Sequence, residues 1–108
     1  MIQLLKNLLG FGPQTDYALL VKNGAQIIDV RSREEFSGGH IRGSLNIPLQ
    51  NLTASLSKIK KNQPVITCCA SGVRSASAKS VLLSNGFSEV HNGGGWVSLQ
   101  NKIRQHNK

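Results

Sequence analysis

The sequence predicts an α/β domain built on a mainly parallel sheet. Three observations carry that reading. Two short apolar runs, "AQIIDV" at residues 25–30 and "PVITCC" at residues 64–69, have the profile of buried parallel strands, the first ending in a charge. Segments with apolar residues at helical spacing lie between and after them. Glycines and prolines mark the changes from one kind of segment to the next. In such sheets, ligands sit beyond the carboxyl ends of the strands, where loops lead into helices.

Taken in order, residues 1–12 read as an amphipathic helix on the domain edge, with Ile2, Leu5 and Leu9 on one face and Leu4 and Leu8 beside it. Lys6 and Asn7 break its apolar run and no small-residue cleavage site follows, which argues against a signal peptide or membrane anchor. Thr15 is placed to cap a helix over "DYALLVKN", with Asp16 in the first turn and Gly24 as the stop. After the strand at 25–30, "SREEFSGG" is a short turn or helical piece ended by Gly38 and Gly39. Residues 44–48, "SLNIP", read as a brief strand stopped by Pro48. Asn51 is a candidate cap for "LTASLSKIKK", where Leu52, Leu56 and Ile59 recur at helical spacing. Val65, Ile66 and Thr67 make the strand at 64–69 the strongest of all. A helix is expected over residues 75–85, with Ala78, Val81 and Leu82 inward and Gly86 as its stop. "SEVHN" is a strand candidate, and "GGGW" reads as a glycine turn into a last helix from Trp96 to about Gln105.

The 108 residues make one domain by length, with a core at about residues 15–105. Hydrophobic residues at 39% and charged residues at 17% fit a globular chain. No apolar run is long enough to span a bilayer. Thirteen Lys+Arg against five Asp+Glu give a net charge of +8, which favours anionic partners. The lysines are spread out, aromatics are 5%, and no nucleic-acid motif is present, so a small anionic substrate ranks above a polynucleotide. Lys58, Lys60 and Lys61, the densest basic group, sit where cations complement a helix end.

The two cysteines, Cys68 and Cys69, are adjacent, so they form no disulfide framework. The histidines, His40, His91 and His106, share no metal-ligand spacing with them, and no metal is expected. Free thiols point to a reducing compartment, the cytoplasm. Cys69 ends a strand, and "ASGVRS" leads from it into a helix. If that loop curls, its amides form an anion nest at the positive end of the helix. Gly72 supplies backbone freedom, and Arg74 adds a fixed cation. A thiol in such a bowl ionises readily, and the thiolate is a nucleophile. The bowl would hold a bound anion, or a second sulfur carried on Cys69. The neighbouring Cys68 faces the other side of the strand and reads as packing. On these residues alone, Cys69 as a small buried hydrophobe stays open.

Four stretches in this order resemble the rhodanese-like sulfurtransferase family: "IIDVRSREEF" (27–36), "GGHIRGSLNIP" (38–48), "VITCCASGVRSASAKSVLLSNGF" (65–87) and "VHNGGGW" (90–96). The resemblance implies a central, mainly parallel β-sheet flanked by α-helices on both faces. It implies that Cys69 accepts a sulfane sulfur from a small anionic donor such as thiosulfate or from a persulfide. The sulfur then passes to cyanide or a thiol, with a protein sulfur carrier as a further partner. No cofactor, nucleic acid or membrane is implied, and the chain is read as a monomer. The substrate-binding set would be Ala70, Ser71, Gly72, Val73, Arg74 and Ser75. Asp29 and Arg31 fall on signature positions and would order the loop rim through hydrogen bonds and a mutual or neighbouring ion pair. His40 reads as tying a loop and Trp96 as a core anchor. Glu34 and Glu35 would diverge on a helix, so no paired-carboxylate chemistry is read there.

Loop length separates the alternatives. Cys69 to Arg74 is six residues, as in sulfur-transferring members, whereas the related dual-specificity phosphatases carry one more. A Cys-dependent phosphatase or arsenate reductase is the rival from the same chemistry, and a non-catalytic module docking through its basic face is the rival from another class. Ala70, Ser71 and Val73 leave the loop less charged than in many thiosulfate-using relatives, which opens the donor to a protein or small-thiol persulfide.

Overall fold

The computed structural model describes residues 14–105. The helix expected over residues 1–12, and His106, lie outside the described residues. Among the described residues, four strands form one all-parallel sheet in the order β2–β1–β3–β4: β1 (Gln26–Asp29), β2 (Leu45–Asn46), β3 (Val65–Cys69) and β4 (Val90–Gly95). Helix α1 (Tyr17–Lys22) precedes β1, and α2 (Arg33–Ser37) follows it. Helix α3 (Val73–Ser84) follows β3, and α4 (Trp96–Gln105) follows β4.

Period-2 alternation in the central strands sorts the core into two layers. Ile28, Val65 and Cys69 face one side with Ala78 and Leu82 of α3. Ile27, Ile66 and Cys68 face the other with Leu99 of α4 and Leu20 of α1. Helices therefore cover both faces, as the sequence predicts.

Several local readings change. Asp16, not Thr15, caps α1: its carboxylate accepts the Leu19 amide at 3.0 Å. An acidic acceptor at the N-cap satisfies a free amide and also suits the positive helix end. Gly24 does end that segment, at φ +99°. The stretch with Leu52, Leu56 and Ile59 is not an α-helix capped by Asn51. It forms two 3-10 pieces, Leu49–Asn51 and Thr53–Lys58, with Ser55 at φ −119°, ψ 15° breaking the second. Thr53, Ser55 and Ser57 are weak helix formers, whereas Leu52 and Ile59 are buried all the same. The apolar spacing is satisfied without a continuous α-helix.

The "GGG" segment is not a turn. Gly93, Gly94 and Gly95 continue β4, with a register irregularity opposite Thr67–Cys69. Gly93 answers to crowding: a Cβ there would lie 2.8 Å from Ile66 Cγ2, from Leu99 Cδ2 and from the Thr67 carbonyl oxygen, whereas Gly94 has open space and a left-handed φ of +80°. Helix α3 begins at Val73, two residues earlier than the sequence predicts, because Gly72 at φ +106° turns the chain directly out of the loop into the helix.

Candidate functional site

The carboxyl end of β3 delivers Cys69 to the start of α3. Its side chain has no accessible surface, and Ala70, Ser71 and Val73 stand exposed above it. The Gly72 amide points at Sγ from 2.9 Å and the Ser75 amide from 3.4 Å. The Ser75 hydroxyl oxygen lies 3.4 Å from the same sulfur. Burial acts to raise the Cys69 pKa. Once the sulfur is ionised, hydrogen bonds to it from the Ser75 hydroxyl and from the amides of Ser75, Gly72 and Ser71 outweigh burial and bring the thiol below its ordinary value. The loop therefore curls as its composition implies, with donors converging on one sulfur.

Cys68 is the opposite case. It belongs to a buried cluster with Ile66 and Leu99, and burial, followed by the nearby Asp29, pushes its thiol up to about 12. Both cysteines are free.

The remaining expected residues divide. Ser75 is fully buried, with its amide and hydroxyl turned to Cys69. Arg74 makes no hydrogen bond to Cys69; its guanidinium makes a two-pronged ion pair with Glu35 at 2.7 and 3.0 Å. Arg74 holds the Glu35 carboxyl down at about 2, with help from the Ser32 amide. Ser32 and Glu35 cap α2 reciprocally, so one carboxylate both closes that helix and clasps α3.

Asp29 and Arg31 form a mutual, buried ion pair with Arg31 Nε and Nη2 at 2.8–3.1 Å from the carboxylate. The pair does not bond to the Cys69 loop itself. Arg31 also donates to the carbonyls of Glu35 (3.3 Å) and Gly39 (2.7 Å), and its guanidinium lies 4.8 Å from the centre of the Trp96 ring. The rim is thus ordered at second hand: Arg31 fixes Glu35, and Glu35 fixes Arg74. His40 donates from Nδ1 to the Phe36 carbonyl at 2.7 Å and stacks on the Phe36 ring at 3.7 Å, a loop tie.

Sequence reasoning missed three members. Glu35 was legible, since Ser32-x-x-Glu35 is a capping-box pattern. Asn92 and Gly95 carried no local signal. Asn92 lies under the loop, with Oδ1 2.6 Å from the Ser75 hydroxyl, and Gly95 gives the loop its floor. A Cβ on Gly95 would sit 2.8 Å from the Ala70 carbonyl oxygen, which is backbone and cannot swing aside. Gly95→Ala is expected to displace the loop and cost about 1–3 kcal/mol, together with most of the reactivity of Cys69. Urea denaturation and thiol titration of that variant check both.

An open cleft of about 610 Å³ borders the loop, lined by Ala70, Gly95, Val97, Ser98, Asn101 and Lys102. Among the described residues, no three metal-ligating side chains cluster, and no helix is long and apolar enough to cross a membrane.

A parallel sheet with a cysteine nested at the head of a helix is the framework, and the comparisons agree with it. The Rhodanese-like domain model matches residues 13–102. The chain belongs to the rhodanese-like domain family. It is 43% identical over 81 residues to the uncharacterized protein YqhL of Bacillus subtilis, matching 74% of this chain and 64% of YqhL. It is 31% identical over 84 residues to the thiosulfate sulfurtransferase GlpE of Pseudomonas aeruginosa, covering 78% of this chain and 76% of GlpE. Among solved structures, a rhodanese-like domain protein from Staphylococcus aureus superposes with a TM-score of 0.65 at 31% identity, covering 89% of this chain and 83% of that one. The human single-domain sulfurtransferase TSTD1 gives 0.65 at 29%, covering 79% and 88%. The chain spans about two thirds of YqhL's length.

Proposed function

We propose that the protein is a sulfurtransferase that carries a sulfane sulfur as a persulfide on Cys69. The observation that carries this is the pair of amides, Gly72 and Ser75, aimed at one buried sulfur in a six-residue loop. With thiosulfate, the Cys69 thiolate attacks the outer sulfur, the S–S bond breaks, and sulfite leaves with the bonding pair. The product is a Cys69–S–S⁻ anion, whose charge the loop amides receive. Cyanide or a thiolate then takes the outer sulfur and returns Cys69 to the thiolate. Displacement of the exposed Ala70–Ser71–Val73 rim admits the donor, and the adjoining cleft gives its remainder room.

Donor class follows from Arg74. Its charge is already matched by Glu35, so the amides supply most of the attraction for an anion. That favours a thiol persulfide, singly charged at the reacting end, over dianionic thiosulfate. GlpE, named a thiosulfate sulfurtransferase, supports the reaction class. The short loop leaves less room for phosphate, which weighs against a phosphatase.

The test is a donor panel of thiosulfate, mercaptopyruvate and glutathione persulfide with intact-mass detection. A gain of one sulfur, mapped to Cys69 and lost on adding cyanide or a thiol, is expected. No gain from any donor overturns the proposal. A second prediction concerns pH. The Arg74–Glu35 clasp loosens only as pH falls towards the Glu35 value of about 2, so it is constant through the neutral range. Persulfide formation should therefore follow Cys69 alone, rising with pH through one ionisation below the ordinary 9.0 and then levelling. Rapid-mixing rates that still climb beyond that value would contradict it.

A further inference from the structure

Besides two backbone amides, the sulfur at the head of α3 touches the Ser75 hydroxyl, a rotor whose hydrogen direction its other partner fixes. Asn92 Oδ1 accepts the Gly94 amide at 3.0 Å, which identifies that atom as the oxygen and not the nitrogen. The Ser75 hydroxyl lies 2.6 Å from the same atom, so Ser75 must be the donor in that bond. Its single hydrogen is then spent on Asn92. Towards Cys69 the hydroxyl offers only a lone pair, and the thiol S–H donates to it across 3.4 Å. This arrangement suits a protonated sulfur. A thiolate facing the same lone pair would be repelled, and it would need the hydroxyl hydrogen for itself.

We propose that Asn92 is a positioning residue that competes with Cys69 for the Ser75 hydroxyl hydrogen. When Cys69 loses its proton to solvent, the hydroxyl turns from Asn92 to Sγ, and Asn92 keeps the Gly94 amide. When a sulfur is loaded, the charge moves to the outer sulfur, Sγ becomes neutral, and the hydroxyl turns back. Asn92 thereby favours the two states with a neutral Sγ over the free thiolate. It is held for this: Tyr17 of α1 donates to its carbonyl at 3.1 Å, and its Nδ2 reaches the Gly72 carbonyl at 3.4 Å. The charged and titratable groups around the sulfur belong to other residues. On the elements that carry or flank it they include Cys68 in β3, Arg74 and Lys79 on α3 with Glu35 on α2, the Asp29–Arg31 pair at the end of β1, His91 on β4 with Glu89, Tyr17 on α1, and Lys102 on α4 beside the cleft. None of them hydrogen-bonds to Sγ, and substitution at Asn92 changes none of their charges.

The proposal rests on Cys69 as the reacting sulfur, but its test needs no sulfur donor. Thiolate ultraviolet absorbance is titrated in the native chain, Asn92→Ala, Ser75→Ala and the double variant. Cys68, pushed up to about 12, stays protonated meanwhile. Ser75→Ala is expected to raise the Cys69 midpoint by about one pH unit, the worth of a hydrogen bond to a charged group. Asn92→Ala is expected to lower it by about half a pH unit, and to do nothing further once Ser75 is alanine. A rise in Asn92→Ala, or an equal change in both backgrounds, overturns the proposal. Should Asn92→Ala fail to fold, the infrared S–H band decides. At acid pH, Ser75→Ala should move the Cys69 band to higher frequency and leave that of Cys68 in place, whereas an unmoved band overturns it. Sulfur transfer without this coupling refutes Asn92's role alone, and coupling without sulfur transfer refutes only the proposed function.

Discussion

Arg31→Ala is expected to destabilise the protein by about 3–5 kcal/mol, the cost of orphaning one member of a buried ion pair. Asp29 has no exposure and Arg31 has 4%. Without the guanidinium, the Asp29 carboxylate keeps, among the described residues, only the residue 31 amide as a donor. Two carbonyls, of Glu35 and Gly39, lose their partner at the same time, and Trp96 loses the cation over its face. A loss of that size is a large share of the 5–15 kcal/mol that holds a typical domain together. Arg31→Lys should recover only part of it, because an ammonium cannot serve two carboxylate oxygens and two carbonyls in fixed directions. The Asp29→Ala, Arg31→Ala double variant should lose much less than the two single losses added together, since neither charge is then left alone. Urea denaturation of the four proteins measures all of this, and additive losses would show that the pair is not coupled.

That pair also shows where the sequence stops being legible. A strand end carrying Asp and Arg reads equally well as solvated, and only the fold reveals that Trp96, sixty-five residues further along the chain, closes over the guanidinium. The sheet and its helices were readable because their signals are local: β-branched runs at residues 64–69, apolar spacing in α3, and glycines such as Gly24 and Gly86 in left-handed backbone at the ends. The same locality misleads where tertiary packing decides. Three consecutive glycines read as a turn, yet Gly93 is glycine because Ile66 and Leu99 leave no space for a Cβ. Leu52, Leu56 and Ile59 read as an α-helix because their spacing fits one, while Ser55 interrupts it. At the candidate site, the nest around Cys69 was legible from strand, glycine and helix start. The direction of Arg74 was not, because its partner Glu35 lies thirty-nine residues away on another element.

Cys69→Ser is the variant with the largest expected effect on reactivity. Serine is nearly the size of cysteine and can still accept the Gly72 amide, so the loop should survive, and circular dichroism and denaturation should match the native chain closely. Yet an alcohol gives up its proton far less readily than a thiol, and two amides cannot make up the difference. Sulfur loading should fall by at least about a thousandfold, the scale seen when a nucleophile is removed from an otherwise intact site. Cys68→Ala separates this from a general need for thiols. Cys68 packs on the far side of β3 among Ile66 and Leu99, away from the loop amides, and its removal should leave sulfur loading in place at some cost in stability. The two variants together place the reacting sulfur on one face of one strand. If Cys69→Ser still gained sulfur, or if the added mass mapped to Cys68, the amides of Gly72 and Ser75 would be holding a structural thiol, and the chemistry would have to be sought elsewhere.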